Sequence, residues 1–376
     1  MAGHPAARGG LEEVVAGSTA ISEVDGERGG LAYRGFTIAD IVAHLGYEGT
    51  VDLLWSGQLP GTDPPHPLTA ELAGQRTLPP SAEAILDALP PRTDPMDALR
   101  MGLSALGSYP YPPTREQGIA LVAAAPTVLA RFHRRRSGLE PIAPDPGLGH
   151  IANFLYMLEG RPATRRRVYA LESYCSIVAD HGMNASTFAL RVVLSTQSDL
   201  LSAAAAAIGA LKGPLHGGAP SKAVEMLDAV GSPDNAEAWV RAALARKERL
   251  MGFGHRAYKV EDPRAVLLRK IAERVAAPER FALAARVEEV ALAELRRAKP
   301  QERLFTNVEF YAGVVLEASA LPRDLYPALF GMARTAGWAA HAIEQAAHNR
   351  LIRPGVEYTG ARGLAFPASA PLRPLP

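Results

Sequence analysis

The sequence has a single cysteine, Cys175, in 376 residues. One thiol forms neither an internal disulfide nor a cysteine-rich zinc site, which is typical of proteins from reducing compartments. No segment reaches the roughly 20 consecutive apolar residues that a membrane-spanning helix needs, and the N-terminal residues lack the apolar stretch of a secretory signal. We therefore expect a soluble, cytoplasmic protein.

The chain also lacks an excess of charge of either sign. It carries 40 basic and 39 acidic residues, and its formal net charge is +1. This balance gives no electrostatic reason to expect nucleic acid or an anionic membrane as the main partner. The length and the 48% hydrophobic content are sufficient for a large buried core, and two domains are expected from length alone.

Helical periodicity dominates the pattern of apolar residues. They recur three and four positions apart from Leu283 to Ala291 and again from Leu325 to Ile343. Strand signals are few, and the segment from Thr50 to Leu59 fits either a strand or a short helix that ends at Gly57. We predict an all-α fold.

The first candidate site residue, His216, follows an alanine-rich helical stretch that Gly213 and Pro214 end. An imidazole beside a helix N-terminus tends to stay neutral, because the helix dipole disfavours a second proton. A neutral imidazole can donate a hydrogen bond to a carbonyl that is becoming an enolate. Taken alone, this histidine also fits a simple turn-capping role.

A second histidine, His255, lies in the glycine-rich loop Met-Gly-Phe-Gly-His, followed by Arg256, Lys259 and Arg264. The glycine spacing superficially matches a dinucleotide-binding fingerprint, but the preceding segment is charged and helical rather than a strand. Such a group of cations suits a polyanion with a reactive carbonyl. The alternative is a surface loop with ordinary charges.

Two further segments combine polar residues with helix starts. Glu309 lies in the first turn of a helix that Asn307 caps, where an acidic residue also serves simply to complement the helix dipole. Residues Asp180 to Phe188 form a polar cluster in an apolar stretch, which indicates either an internal hydrogen-bond network or a ligand contact. We find no metal-binding motif, so no metal is predicted.

Together, these four segments resemble the citrate synthase family, which includes the 2-methylcitrate synthases. The resemblance extends over nearly the whole chain. It includes GLAYRG at 30–35, LLWSGQLP at 53–60, DPMDALR at 94–100, NFLYM at 153–157, RTAGW at 334–338 and RP at 353–354.

The resemblance implies a role for each candidate residue. His216 would hydrogen-bond the thioester oxygen as the enol forms, His255 would polarise the ketone of oxaloacetate, and Glu309 would remove the methyl proton. The groups that hold the oxaloacetate carboxylates would be His181, Arg264, Arg334 and, from the neighbouring subunit, Arg353. The candidate contacts for CoA phosphates are Arg256, Lys259 and Arg303.

The sequence departs from the family pattern at two of these positions. Glu309 is one methylene longer than the aspartate usual there, and a displacement of that order can lower a rate about 100-fold where geometry is tight. Gly182 stands where the family usually has a glutamate after His181, which leaves that part of the pocket less rigidly specified.

The resemblance also implies the architecture and the partners. A large helical domain from residues 1–216 and 321–376 would carry the oxaloacetate site and the dimer contacts, and a smaller inserted domain, 217–320, would carry the CoA side and the catalytic carboxylate. We expect a homodimer with shared active sites that uses oxaloacetate and acetyl-CoA, without a tightly bound cofactor. The alternatives are a 2-methylcitrate synthase that uses propionyl-CoA, and a weakly active regulatory paralogue that binds CoA or a dicarboxylate.

Overall fold

The computed structural model describes residues 14–61, 66–217, 220–255, 258–365 and 367. The described residues of Thr19–Leu351 form one compact unit, and the described residues before and after them belong to a second unit. The division into a large domain and an inserted small domain stays a prediction.

Helices make up most of the described chain, which confirms the predicted all-α fold. The α-helices are α1 Ile38–His44, α2 Tyr47–Ser56, α3 Pro67–Gly74, α4 Pro80–Ala88, α5 Pro95–Ser104, α6 Arg115–Arg136, α7 His150–Glu159, α8 Arg165–Val178, α9 Ala185–Ser195, α10 Leu200–Lys212, α11 Pro220–Val230, α12 Ala236–Ala245, α13 Pro263–Val275, α14 Pro278–Ala298, α15 Val308–Ala318 and α16 Tyr326–Ala347. Short 3-10 turns at Pro233–Asn235 and Arg323–Leu325 precede α12 and α16.

A small antiparallel sheet, which the sequence pattern did not indicate, lies before α1. Its strands are β1 Ser22–Asp25, β2 Gly30–Tyr33 and β3 Phe36–Thr37, in the order β1-β2-β3. The strands have two to four residues, too short for a clear alternation of apolar and polar side chains. The tyrosine at the end of β2, Tyr33, is fully buried, and its one hydroxyl proton is shared between the carbonyl oxygens of Ile177 and Asp180, at 2.8 and 2.9 Å.

Local end signals in the sequence fix several helix boundaries. The ambiguous segment at Thr50 is helical, and α2 ends where Gly57 takes a left-handed conformation with φ +70°. Asp262 caps α13 and Pro263 is its first residue, while Asn307 caps α15. α10 ends at Gly213, as predicted.

The long helix α16 lies at the centre of the fold and packs against α5, α6, α8, α9 and α10. Gly337 permits its close approach to the end of α8, because a Cβ there would lie 2.4 Å from the carbonyl oxygen of Ala179. The N–H of Gly337 donates to that same oxygen at 3.2 Å. This contact brings Arg334, one turn earlier on α16, next to the turn that carries His181.

Candidate active site

His181 lies in the turn between α8 and α9, beside two other aromatic residues from the loop before α13. Its ring centroid is 5.8 Å from that of His255, and its Nε2 is 3.0 Å from the hydroxyl oxygen of Tyr258. Burial, followed by the positive charges of Arg264 and Arg334, holds the pKa of His181 well below its usual value. His181 is therefore a neutral imidazole at pH 7.

His216, in the turn after α10, contacts the first turn of α9. Its Nε2 accepts the backbone N–H of Ser186 at 3.2 Å and lies 2.9 Å from the Ser186 hydroxyl. Because the backbone N–H donates to Nε2, the proton of the neutral ring lies on Nδ1. Burial, and then the charge of Arg334, lowers the pKa of His216 to about 4. His216 thus presents a neutral Nδ1–H donor.

His255 has a similar environment. Its Nδ1 accepts the N–H of Tyr258 at 3.2 Å. Nη2 of Arg264 lies 3.0 Å from the other ring nitrogen, Nε2, and a guanidinium can only donate. A ligand oxygen that accepted from Nη2 in place of Nε2 would allow Nε2 to carry the ring proton and to donate to the same oxygen. Burial, and then Arg264, lowers the pKa of His255 to about 4.

Arg264 is held by a carboxylate at the start of its own helix. Nε and Nη2 donate to the two oxygens of Asp262 at 3.0 and 2.8 Å, and both side chains are almost completely buried. Asp262 Oδ2 also accepts the N–H of Val308, the first residue of α15, at 3.2 Å. One buried carboxylate therefore fixes the guanidinium and the start of α15 together.

The loop that carries His255 is joined to the segment that leads into Glu309. Gly254 N donates to Phe305 O at 2.8 Å, Asn307 N donates to Gly252 O at 2.9 Å, and Asn307 Nδ2 donates to Gly254 O at 2.8 Å. Asn307 also caps α15 by accepting the N–H of Glu309 at 3.0 Å. These bonds set the spacing between the second histidine and the acid.

Arg334 is buried in α16, with 1% of its surface exposed. Nε donates to the carbonyl oxygen of Val178 at 2.7 Å, whereas Nη1 has no hydrogen-bond partner within the described part of the chain. A buried cationic N–H without a partner is costly. Nη1 is thus suited to an anionic ligand.

The pKa shifts of two groups, His181 and the buried Tyr174, place the candidate residues in one region. After burial, the neighbours that contribute to the lowered pKa of His181 are Arg264, Arg334, His255 and His216. Burial, and then Cys175, raises the pKa of Tyr174. Glu309 also raises that pKa, whereas Arg334 and Arg264 lower it. Glu309 therefore lies in the same region as the histidines and arginines.

The candidate CoA contacts, and the candidate oxaloacetate contact Arg353, are exposed or lie outside the described residues. Lys259 is exposed and pairs with Glu27 in the turn after β1, and Arg303 is exposed before α15. Arg256 lies outside the described residues. Arg353 is exposed and belongs to the second compact unit. Their assignments stay predictions.

Sequence reasoning missed the side chains that orient the site. Ser186, Tyr258 and Asp262 contact His216, His181 and Arg264 respectively. Ser186 belongs to the polar segment 180–188 that the sequence indicated, and Asp262 has a helix-capping position before Pro263, but neither contact was predicted. Gly182 is better specified than expected: its φ is +55°, a conformation that favours glycine. Its N–H donates to Ser22 Oγ and Asp180 Oδ2, both at 2.9 Å.

Other classes of site are not evident in the described ranges. They contain no cluster of three or more histidine, cysteine, aspartate or glutamate side chains suited to a metal ion, and no helix within them has the length and apolar character to cross a membrane.

Known proteins are similar to this chain over nearly its whole length. Residues 10–355 match the family model described as citrate synthase, C-terminal domain. A citrate synthase from Acidithiobacillus ferridurans is 39% identical over 93% of this chain and 95% of its own. A 2-methylcitrate synthase from Mycobacterium tuberculosis is 39% identical over 97% of this chain and 94% of its own.

A solved structure with a similar fold contains two ligands. It is the ternary complex of citrate synthase from Thermoplasma acidophilum with carboxymethyl coenzyme A and oxaloacetate. It is 28% identical to this chain, has a TM-score of 0.86, and the match covers 95% of this chain and 97% of that one.

The helical fold places a cluster of neutral histidines beside two buried arginines, an arrangement suited to polarising carbonyl groups and holding carboxylates. The chain belongs to the citrate synthase family. The predicted acyltransferase class and citrate synthase function are confirmed by these comparisons.

Proposed function

We propose that the protein joins the methyl carbon of acetyl-CoA to the ketone carbon of oxaloacetate at a centre formed by His216, His255 and Glu309. The product of this step, citryl-CoA, is then hydrolysed to citrate and CoA. The observation that carries these residue roles is the grouping of two neutral imidazoles, His216 and His255, with the buried guanidinium groups of Arg264 and Arg334.

The first step is removal of a proton from the thioester methyl group. A thioester methyl is a very weak acid, so a carboxylate base succeeds only when the developing enolate oxygen is stabilised at the same moment. Glu309 takes the proton, and Nδ1–H of His216 donates to the thioester oxygen. The backbone N–H of Ser186 supports this role because it keeps the His216 proton on Nδ1.

The second step forms the carbon–carbon bond. The ketone oxygen of oxaloacetate replaces Nε2 of His255, 3.0 Å away, as the acceptor for Nη2 of Arg264, and it also accepts from Nε2–H. As the enol carbon attacks the ketone carbon, negative charge develops on that oxygen and both donors stabilise it. The new carbon–carbon bond leaves the thioester intact.

The carboxylates of oxaloacetate bind the remaining cations. Arg334 Nη1 lacks a partner among the described residues, and a guanidinium binds a carboxylate through two parallel hydrogen bonds. His181 contributes a neutral donor, and Arg353 from the neighbouring subunit completes the set. This role for Arg353 requires a homodimer with shared active sites, which we propose as the assembly.

Hydrolysis completes the reaction. Water adds to the thioester carbonyl of citryl-CoA, the carbon–sulfur bond breaks, and CoA leaves as its thiol. Acetyl-CoA must be protected from the same attack, so we propose that a small domain, residues 217–320, closes over the substrates before condensation. Arg256, Lys259 and Arg303 are the proposed contacts for the CoA phosphates.

Propionyl-CoA is a second candidate substrate, because the 2-methylcitrate synthase from Mycobacterium tuberculosis is as similar to this chain as the citrate synthase is. The two acyl groups differ by one methylene, which a pocket discriminates by only about 1–3 kcal/mol. With acetyl-CoA as its substrate, the enzyme would act in the tricarboxylic acid cycle in the cytoplasm.

A thiol-release assay tests the proposal. Purified protein is mixed with oxaloacetate and either acetyl-CoA or propionyl-CoA, and the tricarboxylate product is identified by mass spectrometry. We expect oxaloacetate-dependent release of CoA with citrate as the product. Faster turnover of propionyl-CoA would assign the 2-methylcitrate activity. CoA binding without turnover of either thioester would contradict both and indicate a regulatory role.

A further inference from the structure

Behind His181 lies a buried group of charged side chains that the proposed mechanism does not use. Its centre is Asp180, which like His341 is 0% exposed. One carboxylate oxygen of Asp180 accepts from the Ser22 hydroxyl and from the N–H of Gly182. The imidazole Nε2 of His341 lies 3.2 and 3.3 Å from the two carboxylate oxygens.

The proton on His341 has a defined position. Nε and Nη2 of Arg191 lie 3.0 and 2.6 Å from His341 Nδ1. Because a guanidinium can only donate, Nδ1 must accept and the ring proton must lie on Nε2, where it donates to Asp180. Arg191 is in turn paired with Glu344. The three side chains thus form a directed chain of donors, from Arg191 through His341 to Asp180.

The negative end of this chain lies beside the site. Burial alone would raise the pKa of Asp180, but His341 and Arg334 lower it to about 2, so the carboxylate is charged at neutral pH. Asp180 in turn favours the charged form of Arg334, whose pKa burial lowers. The hydroxyl of Tyr33 also donates to the Asp180 carbonyl oxygen at 2.9 Å, which fixes the backbone immediately before His181.

We propose that Asp180 is a positioning residue for oxaloacetate binding, and that His341 and Arg191 act through it. Asp180 holds the turn that presents His181 and supplies the buried negative charge that balances Arg334. This inference rests on the proposed role of His181 and Arg334 in binding the oxaloacetate carboxylates. The proposal adds Arg191 on α9 and His341 on α16 to the residues that contribute to oxaloacetate binding.

The chain of donors offers a matched pair of substitutions at His341. His341→Gln retains an oxygen that accepts from Arg191 and an amide that donates to Asp180, whereas His341→Leu removes both hydrogen bonds. We expect His341→Leu to raise the KM and Kd for oxaloacetate about tenfold. This factor corresponds to the loss of one hydrogen bond to a charged group, the Asp180 carboxylate. His341→Gln should stay within about threefold of the wild type.

A double-variant comparison separates action through Asp180 from a general loss of packing. Asp180→Asn should raise the KM for oxaloacetate by about tenfold or more. If His341 acts only through the carboxylate, the combined variant Asp180→Asn with His341→Leu should bind oxaloacetate no more weakly than Asp180→Asn alone. The KM for acetyl-CoA should change little in every variant.

Glu48→Gln provides a control for removal of a buried carboxylate. Glu48 is 7% exposed, and its Oε1 accepts the N–H of His150 at 2.6 Å. The Glu48→Gln substitution should lower the melting temperature without changing the KM for oxaloacetate. The proposal is overturned if His341→Leu lowers only the melting temperature, or if Glu48→Gln weakens oxaloacetate binding equally.

Calorimetric titration with oxaloacetate keeps this test independent of turnover. If the wild type binds oxaloacetate but releases no CoA, the proposed function fails, while the variants still report on Asp180 through Kd. If the wild type turns over and His341→Leu binds oxaloacetate normally, the positioning role alone fails.

Discussion

Glu309→Gln removes the proposed base while keeping the length of the side chain. General-base catalysis contributes about 10²–10⁴-fold to a rate, so we expect kcat to fall by that factor. Oxaloacetate binding should remain within about twofold of the wild type, because the proposed contacts of its carboxylates are on other residues.

Glu309→Asp tests whether the site is built around the longer acid. Shortening the side chain moves the carboxylate back by about 1.5 Å, one carbon–carbon bond. The backbone is poorly able to follow, because hydrogen bonds of 2.8 to 2.9 Å join residues 305–307 to the loop that carries His255. We therefore expect a loss of about 100-fold in kcat.

The assay is oxaloacetate-dependent thiol release at saturating substrate, with calorimetry for oxaloacetate binding. Glu317→Gln is the matched control, since Glu317 lies on the same helix and pairs with Arg280 at 2.6 Å. Glu309→Gln with a kcat near that of the control would remove Glu309 from the mechanism. A faster Glu309→Asp enzyme would refute the argument from the fixed backbone.

Three further predictions concern the loop, the assembly and the pH dependence of stability. Gly252→Ala should destabilise the protein by about 2 kcal/mol and reduce kcat, because Gly252 has φ +89° and a Cβ there would lie 2.7 Å from Phe310 Cβ. Chemical unfolding would measure the stability and thiol release the kcat, and an unchanged kcat would contradict the role of the loop that carries His255. Refolding Arg353→Ala together with His255→Ala should restore about a quarter of wild-type activity if each subunit completes its neighbour's site. Half of the dimers would be mixed, and each mixed dimer would have one intact site out of two. No recovery of activity would contradict shared active sites. Between pH 6.5 and about 4 the unfolded chain binds more protons at His216 and His255 than the folded chain, so the free energy of unfolding should fall as pH decreases through this window. In urea unfolding, His216→Asn should show a weaker dependence of that free energy on pH, and an unchanged dependence would refute the neutral, half-buried imidazole of His216.

Much of the fold follows from local signals in the sequence. The periodic apolar residues of α14 and α16, the caps at Asp262 and Asn307, and the glycine after α2 each reflect a short-range cause. The small sheet was missed because its strands are too short to show alternation.

The candidate site was predictable only in part. The histidines and arginines were named from motifs, but several of their orienting partners come from distant elements, and no local pattern links such residues. Ser22 contacts Asp180 across 158 positions, and Tyr258 contacts His181 across 77. Such contacts depend on tertiary packing, which a single sequence specifies only through the whole fold.

We propose that His216, His255 and Glu309 serve one carbon–carbon bond-forming reaction. The most direct test is the stoichiometry of citrate to CoA released from acetyl-CoA and oxaloacetate, in the wild type and in His216→Ala, His255→Ala and Glu309→Gln. We expect one citrate per CoA in the wild type and a loss of both products by a factor of about 100 or more in each variant. Wild-type rates of citrate formation in any of the three would contradict it.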